Sequence, residues 1–203
     1  MNSGKIFSNS SKEEVLSIAN RQELARKHYS RKSQFRIEQI EWIIAQAGDR
    51  MNGQVLFFGS GYDSPMWARI CDVCFLEDNV RFYRKLFDPS HNCAIKAWPV
   101  IYHTRKKNWE ADLSNQTRIT LPREIETNRF DVIIIDGPRG DKPEAPGRVS
   151  PAVHSKELVK PGGMIFMDDL HRKVDLAIAE SVFGLPNATL EGRSTIGCWE
   201  VGT

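Results

Sequence analysis

No stretch of the 203 residues is long and apolar enough to cross a bilayer. The longest strongly apolar runs, 55–58 and 132–135, fall far short of the roughly 20 residues a span requires. The first dozen residues are polar and lack the apolar stretch of a secretory signal, so a cytoplasmic location is expected. Cysteine is scarce: four residues in a chain this long make no disulfide framework. Cys71 and Cys74 form a Cys-x-x-Cys with no second pair or histidine set to complete a zinc site, and both are read as buried thiols. Charge of one sign is also lacking. With 28 Lys+Arg against 26 Asp+Glu, a formal net charge of +2 is too even for nucleic acid or an anionic membrane to be the main partner. The composition, 40% apolar with 27% charged residues, is that of a globular domain without repeats.

What the chain does have is alternation. Residues 1–10 read as a loose polar tail. Ser10 or Ser11 ahead of Glu13 and Glu14 signals a helix running to about Tyr29, with Arg21, Arg26, Lys27, Arg31 and Lys32 as a solvated basic face. Over 33–47, Ile37, Ile40, Ile44 and Ala47 recur at helical spacing and Gly48 stops the helix. These N-terminal helices, within 11–50, are expected to form a lid over a site or a contact in a homo-oligomer. From 51 to 203 strands and helices alternate: strands at 54–58, 73–76, near 94–102, 131–135 and 164–167, helices at 65–71, 80–87, 151–159 and 173–183. Such alternation builds a parallel sheet covered by helices. The alternation ends in segments 188–191 and 195–201, which flank Gly192-Arg193 as an antiparallel hairpin.

The first strand runs into Gly59-Ser60-Gly61-Tyr62-Asp63-Ser64-Pro65. Its glycines allow a tight turn and close approach of a ligand, and Asp63 or Ser64 with Pro65 opens the next helix. A dinucleotide fingerprint needs a third glycine where Ser64 stands, and the Asp63 carboxylate would repel a pyrophosphate. The loop instead suits an adenosyl ligand without phosphates that carries a cationic amino group. The second strand ends in Glu77-Asp78, placed to accept both ribose hydroxyls, with Glu77 the preferred ligand.

Two later strands end in acids. Asp136 closes the run at 131–135, and Asp168 and Asp169 close the run at 164–167, followed by His171. Like charges this close suit a divalent-metal site or a general-base site, although Asp168 or Asp169 could instead cap the following helix. The loop 141–150, rich in Pro and polar residues, is read as an exposed substrate-selecting segment, with Arg139, Glu144 and Arg148 available to an acidic sugar.

Phe58 to Trp67, Phe75 to Asp78, Val100 to Thr104, Phe130 to Pro138, Glu144 to Arg148 and Phe166 to Arg172 together resemble, in order and spacing, the plant glucuronoxylan 4-O-methyltransferase family. The resemblance implies a Rossmann-like class I methyltransferase fold, a mostly parallel α/β sheet with a C-terminal antiparallel hairpin and here an N-terminal helical extension. It also implies S-adenosylmethionine as cofactor and a hydroxyl of a sugar acid or another small or glycosidic acceptor as the methylated group. On that footing Gly59, Ser60, Gly61, Asp63, Ser64, Glu77, Asp78, Tyr102 and Asp136 would hold the cofactor. Asp136, Asp168, Asp169 and His171 would act on the acceptor, with the three aspartates as ligands of a divalent ion. This last set is also similar to the strand-end acids of metal-dependent catechol-type O-methyltransferases. Departures from the family are Ile-Asp136-Gly where it has Val-Asp-Ala and Asp168-Asp169-Leu170 where it has His-Asp-Val, and the family's N-terminal Golgi membrane anchor is not expected here. The competing readings are a nicotinamide-dependent oxidoreductase and a non-catalytic binding module on the same fold.

Overall fold

A computed structural model describes residues 15–192 and 194–202. Seven strands form one sheet in the order β3-β2-β1-β4-β5-β7-β6. They are β1 (Gln54–Phe58), β2 (Asp72–Glu77), β3 (Lys96–Pro99), β4 (Phe130–Ile135), β5 (Val159–Met167), β6 (Ala188–Leu190) and β7 (Ile196–Glu200). The first five are parallel, and β7 inserts antiparallel between β5 and β6. The parallel sheet and the closing hairpin stand as expected. The strand order reverses between β1 and β4, which opens a crevice at the carboxyl ends of these two strands.

Side chains alternate between two helical layers, as period-2 strands require. Val55, Phe57, Val73, Phe75, Val132, Ile134 and Phe166 face one layer, which contains α2 (Ile37–Ala47) and α3 (Ser64–Ile70). Leu56, Phe58, Leu76, Ile133, Ile135, Ile165 and Met167 face the other, built with α6 (Arg123–Glu126), α7 (Val149–Leu158) and α8 (Lys173–Phe183). Helix α2 forms because Ile40, Ile43, Ile44 and Ala47 share one stripe, fully buried in the first layer, and Gly48 at φ +56° ends it. Its apolar face is thus spent inside the chain. The remaining helices are α1 (Ile18–His28), α4 (Val80–Leu86) and α5 (Trp109–Ser114). Among the described residues no helix is long and apolar enough to cross a membrane.

Several expectations change. The cap expected at Ser10 or Ser11 lies outside the described residues; α1 is capped by Ser17, whose hydroxyl accepts from the Asn20 N–H at 3.2 Å. Arg21 does not belong to a solvated face. It is 3% exposed, because its guanidinium donates to the carbonyls of Leu16 and Met51 and to Asn52 Oδ1, fixing α1 below β1. The loop 141–150 is only half exposed: Gly147 to Ser150 are buried and α7 begins at Val149. The short polar helices α5 and α6 carry too little apolar periodicity to be expected from sequence. The four cysteines are free thiols, and burial pushes Cys71 up to about 12 and Cys74 to about 11, which suits inert core residues.

Candidate active site

The crevice is prepared by two glycines. A Cβ on Gly59, whose φ is +100°, would lie 2.7 Å from the Gly137 nitrogen, and one on Gly137 would lie 2.5 Å from the Gly59 Cα. The two backbones therefore touch where β1 and β4 end, and both Asp136 and Gly137 donate their N–H to the Phe58 carbonyl. This contact brings Asp136 beside the glycine loop.

In the loop itself, the Gly61 N–H donates to Ser64 Oγ at 3.0 Å, and Pro65 occupies the first turn of α3. Asp63 takes the cap position without capping through its side chain. Its carboxylate instead accepts from Trp67 Nε1 at 3.3 Å, with Oδ1 turned toward Gly61. Burial pushes its pKa up to about 6, because the indole N–H does not replace the lost solvation.

Glu77 ends β2 at 4% exposure, with one protein donor on each oxygen: Ser60 Oγ at 2.5 Å on Oε2 and the Asn79 N–H at 2.6 Å on Oε1. Burial raises its pKa, and these two hydrogen bonds partly offset the effect. A carboxylate has about four acceptor sites, so both oxygens keep capacity for a diol. Gly59, Ser60, Glu77, Asp78 and Asp136 line one cavity together with Asn79, Phe82 and the Gly137-Pro138 turn. Gly61, Asp63, Ser64 and Tyr102 do not line it. Tyr102, after β3, has a buried hydroxyl with no hydrogen-bond partner, and the carboxylates of Asp78 and Glu77 and the Arg148 guanidinium act on it electrostatically.

At the ends of β4 and β5 the three expected acids do meet. Carboxylate oxygens of Asp136, Asp168 and Asp169 lie within 4.8 Å of one another. Burial, then the neighbouring Asp168 charge, raises the pKa of Asp136 well above the usual carboxylate range, against the pull of Arg148. Burial and Asp169 raise Asp168, while a hydrogen bond from Ser194 opposes the shift. Neither Asp168 nor Asp169 caps α8, whose cap residue is Arg172. Asp169 adopts a left-handed backbone, φ +69°, tolerable for aspartate though costly for most residues.

Arg148, expected to present its guanidinium to a substrate, is 2% exposed and engaged with this cluster, and it lines the larger cavity described below. Its Nη2 lies 2.8 Å from Asp169 Oδ2 and 3.8 Å from Asp136 Oδ1. Arg172 Nη1 reaches the same Asp169 oxygen at 2.6 Å. Behind it, fully buried Asp175 accepts from Lys106 Nζ at 3.0 Å. Sequence reasoning missed Arg172 and Asp175; the signal was the i, i+3 spacing of Asp169, Arg172 and Asp175 at a helix start. Glu144 is exposed and pairs with Lys107 at 2.9 Å and with Arg105 at 3.7 Å. Arg139 spends its fork on Asp141, with both N···O distances 2.7 Å, at the rim of the site.

A second cavity, about 550 Å³, opens over the acids. Asp136, Asp168, Asp169, His171 and Arg172 line one side, and the α1–α2 connection lines the other with Arg31, Lys32, Gln34 and Arg36. Gln34, Asp136 and Arg139 line both cavities, which puts Asp136 between them. His171 is exposed at the rim. From the far wall, Gln39 donates to Ser194 Oγ at 2.9 Å and so ties α2 to the residue that faces Asp168. A further cavity of about 510 Å³, lined by Arg21, Cys71 and Asp72, lies at the amino end of β2 and takes no part in this arrangement.

No family model matches the chain. It is similar to Arabinogalactan O-methyltransferase 1 of Arabidopsis thaliana, 29% identical over 154 residues, or 62% of this chain and 53% of that protein. Similarity extends to Arabinogalactan O-methyltransferase 2 (27% over 173 residues, 70% of this chain and 58% of that protein) and to Glucuronoxylan 4-O-methyltransferase 2 (26% over 147 residues, 59% and 50%), both from the same plant. The chain spans a little over half the length of the first two. Among solved structures, the O-methyltransferase TomG from Streptomyces achromogenes in complex with SAM superposes with a TM-score of 0.53 at 14% identity, covering 91% of this chain and 89% of that one. A 16S rRNA methyltransferase of T. thermophilus in complex with AdoMet and guanosine gives a TM-score of 0.54 at 20% identity, covering 81% and 42%. The fold is that of class I S-adenosylmethionine-dependent methyltransferases. The resemblance carried by the sequence motifs is shared with O-methyltransferases named for arabinogalactan and glucuronoxylan.

Proposed function

We propose that this chain, a relative of those polysaccharide O-methyltransferases on a class I fold, methylates a hydroxyl of a sugar acid or another small hydroxylated acceptor with S-adenosylmethionine. The observation that carries the reading is the position of Asp136. It stands between a cavity that offers a glycine turn and a buried glutamate, and a second cavity floored by carboxylates and walled by basic side chains.

Glu77 would accept the ribose hydroxyls through the lone pairs that Ser60 and Asn79 leave open. Asp63 would hold the cationic amino group, and that cation would in turn relieve the cost of its buried charge. The first cavity measures about 110 Å³, below the roughly 300 Å³ at which ligand sites begin. Gln34 and Arg139, both exposed, therefore swing aside when an adenosyl group enters.

Bound S-adenosylmethionine would supply the methyl group, whose bond to sulfur breaks, leaving its electron pair on sulfur, as the acceptor oxygen bonds to the carbon. An alcohol is a poor nucleophile until its proton is drawn off, and Asp136 or Asp168 would receive it; their raised pKa values bring them nearer the pH of use. His171 at the rim is the alternative base. Alignment of two reactants in adjoining cavities supplies much of the remaining acceleration. The spacing of the three aspartates suits a divalent ion, but Arg148 already contacts two of them, so no step is assigned to a metal. An anionic acceptor would meet Arg31, Lys32 and Arg36 on the opposite wall.

The test is transfer of labelled methyl from S-adenosylmethionine to paired acidic and neutral glycans. Label on the uronic-acid member and none on its neutral counterpart supports the reading. Cofactor binding with no transfer to any hydroxylated acceptor would favour a non-catalytic module instead.

A further inference from the structure

Spacing makes the cluster at the ends of β4 and β5 resemble a divalent-cation site, yet two side-chain cations already sit in it. We infer that Arg148 is the built-in cation of this site, holding the place between Asp136 and Asp169 that a divalent ion would take, and that the chain binds no Mg²⁺ or Mn²⁺ there. This holds whatever acceptor the site serves.

Position is the first support. Nη2 of Arg148 lies 2.8 Å from Asp169 Oδ2 and 3.8 Å from Asp136 Oδ1, so one nitrogen bridges two of the three acids that would ligate an ion. The guanidinium is not a surface group that can drift away. Arg148 is 2% exposed, precedes the first turn of α7, and follows Gly147, whose φ of +73° turns the chain inward.

Charge is the second support. Asp136, Asp168 and Asp169 contribute three formal negative charges, and Arg148 with Arg172, at 2.6 Å from Asp169, returns two. A divalent ion would turn a remainder of −1 into +1 in a buried pocket and would stand within a few ångströms of Arg148 Nη2, where low polarity magnifies repulsion. Fully buried Asp175 lies 3.8 Å from the same Arg172 nitrogen.

The donor set is the third. Asp169 Oδ2 already accepts from Arg148 Nη2 and is ion-paired with Arg172 Nη1, and hard oxygen-ligated ions need several unshared oxygens at roughly 2.0–2.6 Å. The Arg148 guanidinium donates to Asp169 and stands 3.8 Å from Asp136, offsetting their charge without counter-ligands, while Asp168 Oδ1 has no hydrogen-bond partner among the described residues.

The experiment follows free Mn²⁺ by electron paramagnetic resonance during titration of the chelator-treated full chain, with S-adenosylhomocysteine calorimetry on the same sample. Wild type should leave the free-ion signal undiminished at equimolar Mn²⁺, and chelator should not change its nucleoside affinity. Arg148→Met should gain one Mn²⁺ site, at least about tenfold tighter than any wild-type binding, and adding Asp169→Asn should remove it. Stoichiometric uptake by wild type that is lost in Asp169→Asn would overturn the inference; so would a folded Arg148→Met that takes up no ion. If Arg148→Met does not fold, the wild-type titration still decides. Loss of nucleoside binding alone would count against the cofactor reading and leave this inference standing.

Discussion

Glu77→Gln isolates the proposed ribose contact from the fold. In the native site Glu77 accepts from Ser60 Oγ and from the Asn79 N–H, one on each oxygen. A ribose diol would add a charge-assisted hydrogen bond to each oxygen. Hydrogen bonds to a charged group contribute about 1.5–3 kcal/mol against about 0.5–1.5 for neutral pairs, so neutralising the acceptor costs roughly 1–1.5 kcal/mol per bond. Two such bonds give about 2–3 kcal/mol, roughly a 30- to 150-fold loss of affinity for S-adenosylhomocysteine. Stability should move much less. Glu77 is buried, and burial raises its pKa, so the amide weakens two internal hydrogen bonds but also sheds the desolvation cost of a carboxylate. Calorimetry and a urea melt on the same preparation separate the two effects. Unchanged nucleoside affinity in a folded Glu77→Gln would refute the ribose assignment.

Other perturbations read different parts of the site. Asp136→Asn should lower turnover by about 10²–10⁴, the range of general-base contributions, with nucleoside affinity within a few-fold of wild type; lost binding would move Asp136 into the cofactor contacts. Asp63 has a pKa of about 6 and binds an ammonium group only as the carboxylate, so affinity should be constant above that pH and fall up to tenfold per unit below it. A flat affinity profile between pH 7 and 5 would remove Asp63 from the amino-group contact. Gly59→Ala meets backbone rather than a yielding side chain and needs φ +100°; overpacking of about 1–3 kcal/mol plus about 1–2 kcal/mol of backbone strain predicts a loss of roughly 2–5 kcal/mol in a urea melt.

Much of the fold can be read along the chain because the buried parallel strands announce themselves as unbroken apolar runs. β1 and α8 occur at the expected residues, and the antiparallel hairpin pairs as expected. β5 begins earlier than its apolar run, at Val159, because Val159 pairs with Phe130 before an irregular stretch, with Gly162 at φ +75°, after which pairing with β4 resumes at Met164. α5 and α6 have polar sequences without a stripe, so only tertiary packing reveals them. In the site, strand-end acids were legible since a parallel sheet delivers every carboxyl end to one edge. The buried arginines were not. Arg21 and Arg148 have the composition of surface residues, and only the fold supplies the carbonyls and carboxylates that let them go inside. The tie from Gln39 through Ser194 joins residues 155 positions apart, a distance no local pattern spans.

The most direct test of cofactor recognition is calorimetric titration of the chelator-treated protein with S-adenosylhomocysteine. Micromolar, one-to-one binding is the predicted result, and it should weaken in Glu77→Gln. Absence of binding to the folded chain would contradict the central claim and leave the class I fold without its expected ligand.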